Sequence, residues 1–184
     1  MRLERAFFAR GAEEVARALL GQTLVHIHES TLFKGRIVES EAYLGAHDLA
    51  CHASKGRTQR TEVMFGPPGH AYVYLIYGIH DMFNIVTGRK GEPQAVLIRA
   101  LEPLNLLADM RGPGKLCRVM GIHRQHNGLD LCEPASKIYF ESAPVPTDIL
   151  ATPRIGVDYA GDWKDAPLRF VDSKSPHLSR KLKL

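Results

Sequence analysis

Two runs of alternating residues, AYVYLI (71–76) and MFNIVT (82–87), flank the segment Tyr77-Gly78-Ile79-His80-Asp81. Aromatic and β-branched residues at period two, interrupted by a glycine-bearing turn, read as a hairpin, and little else can be made from them. The same signal precedes it: QTLVHIHE (22–29) and FKGRIVESEAYL (33–44) read as strands joined by a short turn. AVLIRAL (95–101) adds a further strand, followed by KIYF (137–140) and the late segments RIGVDY and LRF. Helical spacing is sparser. Val15, Ala16, Leu19 and Leu20 share one face of a helix over residues 12–20 that Gly21 stops. A helix is expected around 103–111, and a short one opens at Gly112-Pro113-Gly114. Hairpin-linked strands with helices gathered elsewhere specify an α+β fold on an antiparallel sheet. The 184 residues suit a single domain, and no repeat or low-complexity tract divides them.

Charge and cysteine content narrow the class. Lys and Arg exceed Asp and Glu by 24 to 20, a surplus that favours an acidic partner without naming it. The basic residues are grouped: Lys55, Arg57 and Arg60 lie in a long loop from Gly45 to Pro68. Residues 110–129 hold Arg111, Lys115, Arg118 and Arg124 with no acid, and the tail of about 173–184 is also basic and is expected to be flexible. Each stretch alone reads as a solvated surface; together they suggest a side that faces a polyanion. Cys51, Cys117 and Cys132 form no C-x-x-C pair, so a disulfide framework is not expected and a reducing compartment fits. The N-terminus lacks the apolar core of a signal peptide, and Ala71–Ile79 is far shorter than the ~20 residues of a membrane helix. The chain reads as soluble, intracellular and not secreted. The histidines and cysteines at 117–132 do not follow a zinc spacing, so no metal is expected, and His26 and His28 read as an outward strand face.

Chemistry concentrates on the strand RIVESEAYL. Period two places Ile37, Glu39, Glu41 and Tyr43 on one face, with the two glutamate Cα atoms ~6.6 Å apart. Paired carboxylates at such a spacing suit work at a glycosidic bond, although two solvated glutamates would look the same. Arg99 sits among apolar residues on AVLIRAL and needs a carboxylate partner, for which Glu39, Glu41 and Glu102 all qualify. Tyr77 and Ile79 fall at the hairpin tip with no core to enter. Gly112-Pro113-Gly114-Lys115 is not a Walker loop but could offer helix amides and Lys115 to a phosphate.

Taken together, GRIVESEAYLG, EVMFGPPGHAYVYLIYG, AVLIRALEP, GPGKLC and RIGVDYAGDW resemble the alkyladenine (3-methyladenine) DNA glycosylase family, in order, from about Phe7 to Phe170. The resemblance implies a single mixed domain with a curved antiparallel sheet flanked by helices. It implies that Glu41, not Glu39, activates a water that Arg99 and the backbone carbonyl of Ile155 help to hold. Tyr43, His52 and Tyr74 match residues that sandwich a flipped base, with Ala50 and Leu97 lining the pocket and Asn84 near the purine 2-position. Tyr77 matches the residue that enters the duplex in place of the flipped nucleotide; Lys115 and Arg118 are candidate phosphate contacts. The resemblance further implies double-stranded DNA with damaged purines as partner, no cofactor, no lyase step, a monomer, and a cytoplasmic, nucleoid-associated location in a bacterium or a nuclear one in a eukaryote. The segment between His52 and Met64 is one residue shorter than in the human-type members, and His80 replaces their tyrosine. Two other classes also fit parts of the pattern: a nucleoside or carbohydrate glycosidase using Glu39 and Glu41, and a noncatalytic nucleic-acid module that stacks bases on its tyrosines.

Overall fold

The computed structural model describes residues 1–182. Lys183, part of the basic tail, lies outside them. Among the described residues are three α-helices, α1 (Arg5–Phe8), α2 (Ala12–Leu19) and α3 (Pro113–Met120). Eight strands accompany them: β1 (Thr23–His28), β2 (Thr31–Tyr43), β3 (Ala71–Ile76), β4 (His80–Thr87), β5 (Gln94–Pro103), β6 (Ile138–Glu141), β7 (Ile149–Thr152) and β8 (Arg169–Asp172). All pair antiparallel in one curled sheet of order β3-β4-β5-β2-β1-β6, with β8 on β2 and β7 on β8. No described helix is long and apolar enough to cross a membrane.

β2 organises the sheet. Its first half pairs with β1, its second half pairs with β8 on the same edge, and β5 runs along the other. The register slips between Ile37 and Ser40, where the neighbour changes. A bulge inserts one residue and re-aims the side chains after it. Ile37 therefore enters the main core with Ala42, and does not share the face of Glu39 and Glu41 as strict alternation required.

Beyond the bulge the period-two pattern holds on three strands at once. Val73 on β3, Phe83 and Ile85 on β4, and Val96 and Ile98 on β5 face the core formed with α2 and α3. Tyr72 and Tyr74, Asn84, Leu97 and Arg99 take the opposite face. α2 seals the first face with Ala12, Val15, Ala16 and Leu19, a spacing of one helical stripe, all fully buried.

Four expectations need correction. No helix forms around 103–111: Asn105 bonds the strand backbone at Lys34 and Leu32, and Leu107 is fully exposed, so a helix there would have had no face to bury. RIGVDY makes turns around Gly156 at φ +77, while the four-residue β7 that precedes it gave no signal between its prolines. His26 does not face outward; it is 2% exposed beneath α3, with Nδ1 2.6 Å from the Met120 carbonyl. Neither glutamate of the pair is solvated, both being 0% exposed.

Candidate active site

The second sheet face is covered by the loop after β2. Asp48 accepts hydrogen bonds from the amides of Leu44 and Ala50, which curls the loop at its start. Arg154, from the segment after β7, grips the same carboxylate at 2.6 and 2.9 Å and reaches the Ala42 carbonyl at 2.9 Å. Both side chains of this pair are fully buried. Cys51, Ala53 and Met64 then pack against Tyr72, Val86 and Ala95, holding the loop over the sheet. Between loop and sheet lies a cavity of about 320 Å³.

Its lining collects residues far apart in sequence: Tyr43, Ala50, His52, Tyr74, Tyr77, Asn84, Leu97, Arg99 and Ile155. Glu41 sits just behind the wall. Its Oε1 accepts the Ile155 amide at 2.8 Å and lies 3.5 Å from Arg99 Nη1; its Oε2 accepts the Tyr43 hydroxyl at 2.8 Å. Ile155 thus touches Glu41 through its N–H. Glu39 is engaged differently. Its Oε1 takes Arg169 Nε at 2.6 Å and Arg99 Nε at 3.3 Å, and Ser179 donates to both of its oxygens. Of the three carboxylates open to Arg99, Glu39 and Glu41 share it, while Glu102 pairs with Arg36.

The aromatic wall is kept neutral. Burial, then the charge of Arg60, pushes His52 down from 6.5 to about 4, and its Nδ1 lies 2.9 Å from the Tyr72 hydroxyl. Burial, then the Glu41 carboxylate, drives the Tyr43 phenol well up, and burial raises Tyr72 to about 12. The His52 and Tyr74 rings meet edge to face with centroids 4.6 Å apart.

At the mouth, Tyr77 is 86% exposed and Ile79 71%. Tyr77 has φ +53, a left-handed conformation that favours glycine and is rare for an aromatic residue. Asn84 is buried, its Nδ2 donating to the Tyr72 carbonyl at 3.1 Å. Lys115 and Arg118 are not brought to the cavity. Lys115 is held by Asp109 at 2.7 Å, whereas exposed Arg118 shares a shallow groove with Ile79 and His80 beside the tip.

Residues 6–176 match the family model for methylpurine-DNA glycosylase. The chain belongs to that family. A Myxococcus xanthus protein named for 3-methyladenine DNA glycosylase activity is 51% identical over 97% of this chain and 93% of its own length. Relatives with the same name from Methanocella arvoryzae and Legionella pneumophila (strain Lens) are 49% and 51% identical over 97% of this chain, covering 96% and 98% of their own lengths. Methylpurine-DNA glycosylases are hydrolases of base excision repair that bind damaged DNA, so the basic surplus of the sequence has its acidic partner.

For a methylpurine-DNA glycosylase, several residues of this cavity escape sequence reasoning. Arg60 reads as one of several loop cations, yet its guanidinium stands 5.0 Å over the Tyr74 ring. Tyr72, whose hydroxyl meets His52, has a usable signal in its alternation with Tyr74. The Asp48–Arg154 pair, and the Tyr159 hydroxyl that donates to the Ala50 carbonyl at 3.2 Å, left no local trace.

Neutral His52 has a measurable consequence. The unfolded chain takes up its proton near 6.5 and the folded one only near 4, so stability rises with pH across that window and is lost as pH falls through it. The difference amounts to about 2–3 kcal/mol for a group this buried. His52→Gln should flatten the urea-unfolding stability between those pH values by most of that amount, leaving the smaller contributions of His26 and His126, also lowered by burial. A variant curve parallel to wild type would exclude a half-buried, neutral His52.

Proposed function

We propose that the protein is a monofunctional glycosylase that flips a damaged purine into this cavity and hydrolyses its N-glycosidic bond with a water activated by Glu41. The observation that carries this is the placing of a fully buried Glu41 against a cavity walled by Tyr43, His52 and Tyr74. The bond lies inside the stacked duplex, so the nucleotide must rotate out, at a cost of ~a few kcal/mol that is smallest for damaged bases. Tyr77, projecting at the mouth, fills the gap left in the stack.

Glu41 accepts a proton as water attacks C1′. The C1′–N9 bond breaks and its electron pair leaves with the purine: a cationic methylated purine departs neutral, an uncharged one such as hypoxanthine departs as an anion that takes a proton from solvent, and free base and abasic sugar result. Single displacement inverts C1′ and needs no lysine Schiff base. Arg99 and the Ile155 amide fix the Glu41 carboxylate in place for this step. Methylation at N3 or N7 makes the purine cationic, hence a better leaving group, and electron-rich neutral rings attract it. Arg60 over Tyr74 is an internal instance of that attraction. Hypoxanthine and ethenoadenine, planar but uncharged, would be held by stacking and shape.

Glu39 is unsuited to the second-carboxylate role of a two-acid glycosidase, because its oxygens are already occupied by Arg169, Arg99 and Ser179. A purely stacking nucleic-acid module would leave the Arg99–Glu41 contact without a task.

Flipping is tested at Tyr77. Tyr77→Ala should reduce excision of hypoxanthine from duplex by about 10-fold or more, the size of one lost base–aromatic stack, and reduce excision from a single strand much less. An equal loss on both substrates would mean that Tyr77 supports the cavity and not the flipped state.

A further inference from the structure

The C-terminal tail is not idle. Ser175 is 8% exposed, and Ser179, far along the chain from Glu39, donates to its Oε2 through the backbone amide and to its Oε1 through the hydroxyl, each at 2.7 Å. We infer that Ser179 is a positioning residue for the reaction: by sharing Glu39 it keeps Arg99 only loosely held there, at 3.3 Å, and within reach of Glu41 at 3.5 Å. This rests on the proposed hydrolysis by Glu41.

A carboxylate offers about four acceptor sites. Glu39 Oε1 already takes Arg169 Nε at 2.6 Å, the Ser179 hydroxyl at 2.7 Å and, most loosely, Arg99 Nε at 3.3 Å. Arg99 also lies 3.5 Å from Glu41 Oε1, so one guanidinium is stretched between two buried carboxylates. Opposite charges at this depth attract strongly. If the hydroxyl is lost, Oε1 is left with two donors for its two lone pairs, so Arg99 closes on Glu39 and withdraws from Glu41. Arg169 is held through Nη1 by Thr152 at 3.1 Å, and its Nη2 is buried without a partner. The groups facing Glu41 are Arg99 and Tyr43, with Tyr74 and Arg154 within electrostatic reach. Of these cations, Arg154 is committed to Asp48, so Arg99 is the one whose position the tail can set.

The test is single-turnover release of hypoxanthine from duplex by wild type, Ser179→Ala and Ser179→Thr across the active pH range. Ser179→Ala should lower the maximal rate by about tenfold, equivalent to one hydrogen bond to a charged group. Duplex affinity should not change, and Ser179→Thr, which restores the hydroxyl, should recover the rate. A rate within about twofold of wild type, or a lower rate that Ser179→Thr does not recover, would overturn the inference while leaving the proposed hydrolysis intact. Wild-type protein that releases no base would overturn both.

Discussion

Glu41→Gln should bind lesion-containing duplex as wild type does and release base about 10²–10⁴-fold more slowly, the range removed with a positioned general base. Gln keeps the volume of Glu and one acceptor oxygen. The Ile155 amide and the Tyr43 hydroxyl can therefore still find partners, and the cavity wall should survive. What is lost is the ability to take a proton from water. Glu39→Gln differs in kind. That carboxylate neutralises Arg99 and Arg169 in a buried cluster, so its amide should cost stability first and activity second. Single-turnover excision and thermal melting of both variants separate the two roles. Loss of activity without loss of stability in Glu39→Gln, together with an active Glu41→Gln, would reverse the assignment.

The second large effect is structural. Asp48→Ala should cost about 3–5 kcal/mol, because it strands the fully buried Arg154 guanidinium and removes the acceptor of two loop amides. A domain of this size has only about 5–15 kcal/mol in all, so the melting temperature should fall by roughly 10 °C or more. The damage should spread to the cavity, since Arg154 immediately precedes Ile155 and lies 4.8 Å from the Tyr43 ring centre. Asp48→Asn combined with Arg154→Met should be less destabilised than Asp48→Ala, because the buried charge leaves together with its partner. A loss below about 1 kcal/mol in Asp48→Ala, the scale of an exposed pair, would contradict the buried lock.

These two predictions also mark what sequence could and could not reveal. AYVYLI and MFNIVT are legible because burial on two faces imposes period two, and the tip between them could only project. Glu41 and Arg99 are legible as a pair of types, but spacing alone leaves Glu39 and Glu41 equivalent, and the tail that occupies Glu39 has no local signature. The expected helix around 103–111 has no partner surface to reward it, Leu107 being fully exposed. His26 reads as outward because alternation reports the strand and not the helix laid over it. The cover of the cavity depends on Asp48 meeting Arg154 across most of the chain, a contact that composition and spacing do not encode.

The central claim is that this cavity hydrolyses an N-glycosidic bond without forming a covalent adduct to DNA. The direct measurement is chromatography of the products from a duplex carrying a single hypoxanthine, with a parallel reaction containing borohydride. Free hypoxanthine should appear in amounts equal to abasic sites, with strand cleavage only after alkali and no protein–DNA species trapped by reduction. Release of no base, or a borohydride-trapped covalent complex, would contradict it.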